Sequence, residues 1–281
     1  MKLARCTDGT AVFWAVVDTE RALITPIEGD VTSWGPALTR GVGAAALRVS
    51  GEPRALADVR LLPPIAKTNR VVVAGANYAK HLAADFGIKS HTQPIAFLKA
   101  YGALIGANDP MRYPPLTKEF DHEVELVAVI GAERVDRDDP LSSVLGYTVG
   151  NDVSCRDLQR SGPPGVGMDL FAAKSADRTT GLGPWIVTRD EFGPASPKLR
   201  LTLKVNGDLR QDGSTAEMTW NVGELVKFVD ERSSFECGDV MFTGSPAGTG
   251  QGTGKFLQPG DVVEAEIEGI GTLRNVVTLD A

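Results

Sequence analysis

The sequence has few cysteines and no long apolar run, and each shortage excludes a class of protein. Its 281 residues include three cysteines, Cys6, Cys155 and Cys237, which are far apart and form no C-x-x-C pair. An odd number of scattered cysteines predicts neither a disulfide framework nor a zinc cluster, so we expect reduced thiols that pack in the interior. Apolar runs such as residues 126–130 are much shorter than the roughly 20 residues that cross a bilayer, so no membrane span is expected.

Positive charge is also scarce. The chain has 29 Lys and Arg residues against 36 Asp and Glu residues, for a formal net charge of -7. Nucleic acids and anionic membranes are bound through positive charge that neutralises phosphates, so neither partner is expected. Lys2 and Arg5 are followed by Asp8 and Gly9 instead of the apolar segment and cleavage site of a signal peptide, so the sequence predicts a cytoplasmic protein.

Short β-type segments dominate the rest of the chain. The Asp8-Gly9 pair between two apolar runs predicts an N-terminal hairpin, and the prolines within residues 61–65 interrupt regular structure. We therefore expect a small N-terminal α+β domain over residues 1–67 and a larger domain over residues 68–281. The larger domain is predicted to be α+β and β-rich, with a folded-over mixed sheet, or β-roll. Helical spacing is found mainly in three segments, residues 77–86, 154–159 and 222–228.

A pair of glutamates opens the apolar run at residues 126–130. Alternate residues of a strand share a face, so Glu123 and Glu125 point the same way. Like charges side by side in a desolvated place raise a carboxyl pKa or require a cation, and Asp152, after the next strand-like segment, could complete a set of three carboxylates. Such a set favours Mg²⁺ or Mn²⁺. From the spacing alone, a solvated strand end explains the two glutamates equally well.

Several motifs follow the glutamates in order. They are Gly146-Tyr147-Thr148-Val149, Asn151-Asp152-Val153-Ser154, Arg156-Asp157-x-Gln159, Lys174-Ser175-x-Asp177, Gly183-Pro184-Trp185 and Thr243-Gly244-x-Pro246. Together with Glu123-x-Glu125 they resemble the fumarylacetoacetate hydrolase family. The resemblance runs from about residue 70 to the end, whereas the first 65 residues carry little of it. It implies the β-roll catalytic domain of that family behind a small N-terminal domain.

The resemblance also implies roles for individual residues. Glu123, Glu125 and Asp152 would be the metal ligands, and Lys174 would lie beside the metal as a catalytic residue. Arg156 and Gln159 would face the substrate, and their spacing on a helix puts them on one face. The full set of substrate-binding residues implied in this way is Tyr78, Arg156, Gln159, Thr243 and Gly244.

Histidine is scarce, with His81, His91 and His122 as the three candidates for a general base. Asn77-Tyr78-x-x-His81 resembles the lid motif of the family, which makes His81 the expected base. The family often has a glutamate three residues later to orient this histidine, but here that residue is Ala84. Asp85 follows at the i+4 position and could take over the orienting role. His122 points to the face of the strand opposite Glu123, so a structural role is expected for it.

The expected function is a divalent-metal-dependent hydrolase that cleaves a C–C bond of a 2-oxo or 1,3-dicarbonyl carboxylic acid, of the acylpyruvate or fumarylacetoacetate type. An isomerase of the 2-hydroxyhepta-2,4-diene-1,7-dioate type, or a decarboxylase, would use the same site. A non-catalytic metal-dependent binder is a more distant alternative, motivated by Ala84. Ser245 lies in no G-x-S-x-G elbow and Cys155 has no histidine near it in sequence, so nucleophilic catalysis is not expected. The resemblance further implies a homodimer.

Overall fold

The computed structural model describes residues 1–87 and 92–279. His91 lies outside these residues. The strands are β1 Lys2–Thr7, β2 Val12–Asp18, β3 Leu23–Ile27, β4 Arg54–Ala55, β5 Arg60–Leu62, β6 Val71–Gly75, β7 Ile95–Lys99, β8 Leu104–Ile105, β9 Met111–Arg112, β10 Phe120–Asp121, β11 Val124–Ile130, β12 Val144–Asn151, β13 Ser154–Cys155, β14 Thr180–Thr188, β15 Arg200–Val205, β16 Asp208–Ser214, β17 Val240–Phe242, β18 Val262–Ile267 and β19 Gly271–Thr278. The α-helices are α1 Val31–Thr39, α2 Ala79–Phe86, α3 Arg156–Gln159, α4 Leu170–Lys174, α5 Val222–Asp230 and α6 Gly250–Thr253.

Two mixed sheets form the body of the protein. The larger sheet has 12 strands, with the main order β4-β3-β2-β1-β14-β12-β11-β17-β6-β7, and the smaller has five, in the order β16-β15-β18-β19-β9. Their facing sides share one apolar core, in which Leu126 and Val149 of the large sheet pack with Leu203 and Ala265 of the small one. The predicted β-rich α+β fold with a folded-over mixed sheet is therefore confirmed.

The N-terminal hairpin forms as the Asp8-Gly9 pair predicts. Gly9 has a φ of 91°, a left-handed conformation that glycine adopts without a steric penalty, and it allows β1 to pair antiparallel with β2. β1 also pairs with β14, with Leu3 opposite Ile186. The first strands thus extend the large sheet, and the boundary near residue 67 stays a prediction. Among the described helices, none has the length and hydrophobicity needed to cross a bilayer.

The central strands of the large sheet carry the residues of the glutamate motif. β11 and β12 are buried along their whole length and run antiparallel, with Val124 opposite Asn151. This register brings the start of β11 next to the end of β12, where Asp152 follows. On the other side of β11, β17 and β6 are parallel, so their carboxyl ends meet at the same edge. The chain leaves β17 through Thr243 and Gly244 at that edge, and it leaves β6 there toward α2.

Candidate active site

Three carboxylates cluster where β11 begins and β12 ends. Oxygen atoms of Glu123, Glu125 and Asp152 lie within 4.8 Å of one another, and the three side chains are buried. The backbone fixes this arrangement, because the Asp152 N–H donates to the Glu123 carbonyl at 2.8 Å and the Asn151 Oδ1 accepts from the Glu123 N–H at 2.9 Å. A solvated strand end does not describe these glutamates, which are 4% and 2% exposed.

Two cations contact Glu123. The Lys174 Nζ contacts the carboxylate of Glu123 and lies 2.6 Å from Asp152 Oδ2, and the Arg156 guanidinium donates to Glu123 Oε1 at 2.6 Å. Burial acts to raise the pKa of Glu123, but Arg156 and Lys174 outweigh it and hold that pKa well below its ordinary value. Glu123 is therefore ionised in this site.

Glu125 has a different environment from Glu123. Its Oε2 accepts a hydrogen bond from the Gly244 N–H at 2.6 Å, and within the described residues it forms no ion pair. Burial, together with the negative charges of Asp152 and Glu123, raises the pKa of Glu125 well above its ordinary value. A divalent cation would remove this repulsion, and three buried carboxylates are a donor set that Mg²⁺ and Mn²⁺ accept. The triad can therefore bind a metal ion.

Lys99 contacts the carboxylate cluster and was not identified as a site residue from the sequence. Its Nζ is fully buried, 2.7 Å from Asp152 Oδ1, and donates to Thr180 Oγ1 at 2.7 Å. Burial lowers the pKa of Lys99 although Asp152 acts to raise it. The alternation of β7 could have indicated Lys99 from the sequence. Residues 95, 97 and 99 share a face of the strand, and a lysine ends an otherwise apolar run.

Asp121 was also missed as a site residue. It is fully buried, and its Oδ2 accepts from Arg156 Nε at 2.7 Å while its Oδ1 accepts from the Gly250 N–H at 2.5 Å. Asp121 thus joins α3 to the start of α6 and fixes the guanidinium that contacts Glu123. Asp121 lies two residues before Glu123, but its partners Arg156 and Gly250 follow it by 35 and 129 positions, so the local sequence does not reveal these contacts.

The structure brings His81 and Asp85 together beside the carboxylates. The His81 Nδ1 lies 2.7 Å from Asp85 Oδ2 across one turn of α2, and the Nε2 lies 3.5 Å from Glu123 Oε1. Thr249, just before α6, donates its hydroxyl to Asp85 Oδ2 at 2.5 Å. Ala84, at the position of the expected family glutamate, is exposed. Asp85 therefore has the orienting contact with His81 that the i+4 spacing predicts.

His122 lies apart from these groups. It is 1% exposed, its Nδ1 lies 3.2 Å from Gln211 Oε1, and it is absent from the described wall of the cavity. The structural role expected for it is consistent with this position. Cys155 is buried as well, and burial raises the pKa of its thiol to about 11, so the thiol is protonated at neutral pH.

A cavity of about 150 Å³ opens onto the carboxylate cluster. Its polar floor contains many of the predicted residues: His81, Glu123, Glu125, Asp152, Arg156, Gln159, Lys174 and Gly244. Its described wall does not include Tyr78 or Thr243. The Thr243 hydroxyl donates to the Leu126 carbonyl at 2.8 Å, and the Tyr78 hydroxyl is buried without a hydrogen-bond partner in the described part of the chain. Substrate binding by these two residues stays a prediction.

Two family models match the chain. Residues 70–278 match the model described as fumarylacetoacetate (FAA) hydrolase C-terminal, and residues 1–64 match the model described as Rv2993c-like, N-terminal.

Individual proteins are similar over most of the chain. Maleylpyruvate hydrolase of Aquipseudomonas alcaligenes is 40% identical over 231 residues, which are 78% of this chain and 75% of that protein. The crystal structure of 5-carboxymethyl-2-hydroxymuconate delta-isomerase from Mycobacterium smegmatis superposes with a TM-score of 0.80 at 33% identity and covers 99% of each chain. Fumarylpyruvate hydrolase from Pseudomonas aeruginosa, in complex with Mn²⁺ and pyruvate, has a TM-score of 0.69 at 28% identity over 79% of this chain and 92% of its own.

Proposed function

The chain belongs to the fumarylacetoacetate hydrolase family, and from this premise we propose that it is a divalent-metal-dependent hydrolase that cleaves the C–C bond of an acylpyruvate-type 2-oxo acid. The observation that supports hydrolysis is the position of His81. One imidazole nitrogen lies 2.7 Å from the Asp85 carboxylate, and the other lies 3.5 Å from Glu123 at the floor of the cavity. A histidine held in this way by a carboxylate is suited to activate water.

Glu123, Glu125 and Asp152 would hold the metal ion, and Mg²⁺ and Mn²⁺ both suit these oxygen ligands. The chemistry supplied by a bound divalent cation would be Lewis acidity, which stabilises the negative charge of an enolate leaving group. The Mn²⁺ and pyruvate bound to the similar fumarylpyruvate hydrolase are consistent with this assignment.

His81 would act as the general base. Its Nε2 faces the cavity floor and would accept a proton from water as the water oxygen adds to the acyl carbon. Asp85 would keep the Nδ1 protonated and stabilise the imidazolium that forms. The bond between the acyl and pyruvyl carbons then breaks with its electron pair on the pyruvyl carbon. That carbon takes up a proton, which gives pyruvate and a carboxylic acid.

Lys174 and Arg156 would stabilise the negative charges of the substrate. Burial acts to lower the pKa of Lys174, but Asp152 and Glu123 raise it above its ordinary value and keep the ammonium charged. A fixed positive charge at the cavity floor stabilises a developing oxyanion. Arg156 donates to Glu123 and Gln159 and so orders the floor on which the substrate carboxylate would lie.

Pyruvate release from acetylpyruvate tests the proposal. We expect release with Mg²⁺ or Mn²⁺ and none with excess chelator. We also expect Glu125→Gln to need a higher metal concentration for activity, because one ligand charge is lost. A control substitution, Glu52→Gln, changes an exposed side chain. Metal-independent release, or no release from acetylpyruvate or from longer acylpyruvates, would contradict the proposed hydrolysis.

Isomerisation is the second candidate, and the similarity to the Mycobacterium smegmatis delta-isomerase over 99% of the chain favours it. An isomerase would stabilise the same enolate and return a proton at another carbon without adding water. Incubation of the substrate in D₂O separates the two reactions. Deuterium incorporation faster than in the same buffer without protein, and without pyruvate release, would indicate isomerisation or tautomerisation in place of hydrolysis.

A further inference from the structure

The cavity has a charged floor and an apolar upper part. The upper part, called here the apolar wall, is formed by Val73, Leu82, Ile95, Phe97, Met168 and Leu170. Val73 and Leu82 are 1% and 4% exposed, whereas Ile95 and Met168 are 48% and 52% exposed. The apolar wall therefore includes both deeply buried side chains and side chains at the surface of the protein.

The lysine and arginine side chains of the described cavity wall lie at its floor. Within the described residues, the only lysine and arginine in the cavity wall are Lys174 and Arg156, and both contact Glu123. Lys99 lies behind the floor and contacts Asp152. The apolar wall itself carries no positive charge in the described part of the chain.

We propose that this site selects 2-oxo acids whose tail is an uncharged hydrocarbon chain. The proposal rests on the proposed function, because it assumes that the 2-oxo acid end of the substrate binds at the carboxylate cluster. A second carboxylate at the far end of the tail would lose water against Ile95, Phe97 and Met168 without gaining a cation from the residues that the structure describes. A methyl end would instead gain from burial against the same side chains, by about three- to fourfold in affinity for each buried methylene.

The proposed preference for an uncharged tail distinguishes this chain from relatives whose named substrates carry two carboxylates. The substrates named for maleylpyruvate hydrolase and fumarylpyruvate hydrolase both end in a carboxylate, whereas the apolar wall fits a tail without charge. Ile95 and Phe97 contribute to it from alternate positions of β7, Met168 contributes from the segment before α4, and Leu170 contributes as the first residue of α4.

A binding experiment with matched ligands tests the proposal without relying on turnover. 2-Oxooctanoate and 2-oxooctanedioate have the same chain length and differ in the last carbon, which is a methyl group in one and a carboxylate in the other. Neither has a second oxo group, so neither presents the bond that is hydrolysed. Calorimetric titration of the Mn²⁺-loaded protein is expected to give at least about tenfold tighter binding of 2-oxooctanoate. Equal affinity, tighter binding of the diacid or no binding of either ligand would overturn the proposal.

A substitution at the mouth provides a second readout. Met168→Arg introduces a cation into the apolar wall. We expect it to weaken the binding of 2-oxooctanoate and to strengthen the binding of 2-oxooctanedioate, so that the preference for the monoacid narrows or reverses. Val166→Arg is the matched control, since Val166 is 71% exposed on the same segment and outside the described cavity wall. An unchanged preference in Met168→Arg, or the same change in Val166→Arg, would contradict the assignment of the apolar wall.

Failure of the inference and failure of the proposed function give different results. If the preference for 2-oxooctanoate is found and no acylpyruvate releases pyruvate, the tail assignment holds and hydrolysis is wrong. If acylpyruvates are hydrolysed and the diacid binds as well as the monoacid, hydrolysis holds and the tail assignment is wrong.

Discussion

At the scale of single residues, the carboxylate that contacts His81 belongs to Asp85, one position further along α2 than the glutamate that the family often has. Asp85 reaches the Nδ1 at 2.7 Å because residues four apart on a helix lie on the same face. Its shorter side chain suffices since Thr249 also contacts its carboxylate and fixes it. The i+4 spacing predicted this pair from sequence, but the contribution of Thr249 depends on a contact between residues 164 positions apart.

Asp85→Asn tests the orienting role. We expect kcat to fall by about 100-fold with KM changed by less than about twofold, because the amide favours the wrong tautomer of His81 but leaves the binding floor intact. Steady-state kinetics with a cleaved acylpyruvate measure both values. Adding Ala84→Glu to this variant should restore part of kcat by supplying an acid at the family position. Adding Ala83→Glu should not, and equal rescue by both would argue against the orienting role.

Lys99→Met tests the buried pair behind the floor. Lys99 is the ion-pair partner of Asp152 Oδ1, and its removal leaves that buried oxygen without the cation that faces it, although Lys174 still contacts Oδ2. We expect the free energy of unfolding to fall by about 3 kcal/mol in urea titrations. Lys80→Met is the control, because Lys80 pairs with Glu217 at the surface, where such a pair contributes less than about 1 kcal/mol. Equal effects of the two substitutions would contradict the role given to Lys99.

At the scale of elements, hydrophobic periodicity predicted the strands and the helix that depend on neighbouring residues. Contacts between residues distant in sequence determine the other elements. β6, β7, β11 and β12 follow from short apolar runs, and α2 follows from the spacing around His81. The alternation that reveals Lys99 as a site residue is local too. In contrast, α6 is a turn-like glycine segment in sequence, and its helical form depends on Asp121 accepting the Gly250 and Gln251 N–H groups. No local pattern predicts that contact.

The packing of α6 against α2 gives a prediction about a glycine. A Cβ on Gly252 would lie 2.1 Å from Asp85 Oδ1, so Gly252→Ala must displace that carboxylate. We expect kcat to fall by about tenfold or more, since His81 loses its partner, while the protein still folds. Gly254→Asn is a suitable control, because Gly254 has open space around it and a φ of 70°, which asparagine tolerates. Unchanged kcat in Gly252→Ala would show that α6 does not hold Asp85.

At the scale of the whole molecule, the N-terminal residues are part of the large sheet. Leu3 and Trp14 share an apolar cluster with Ile186 and Phe242, and β1 covers the edge of β14. Composition and turn signals predicted a small separate domain, and they carry no information on which strand edges pair. The pairing of β1 with β14 arises from sequence positions more than 180 residues apart.

Removal of residues 1–67 should therefore destabilise what remains. The truncated chain would expose the edge of β14 and the apolar surface around Ile186, so we expect aggregation or a loss of cooperative thermal unfolding. Size-exclusion chromatography and a melting curve measure these outcomes. A fragment that stays monodisperse and melts near the temperature of the full chain would instead establish residues 68–281 as an independent domain.

The parallel pairing of β6 with β17 also bears on the order in which the protein folds. Val71 lies opposite Val240, so this pair forms only after most of the chain has left the ribosome. Contacts between distant residues require closure of a long loop and form slowly. Gly244, which donates to Glu125, follows β17 directly, so this hydrogen bond forms late. Glu123, Glu125 and Asp152 all precede β17, so the three carboxylates can meet on a partly made chain, but Glu125 gains its hydrogen bond from Gly244 only when β17 joins the sheet.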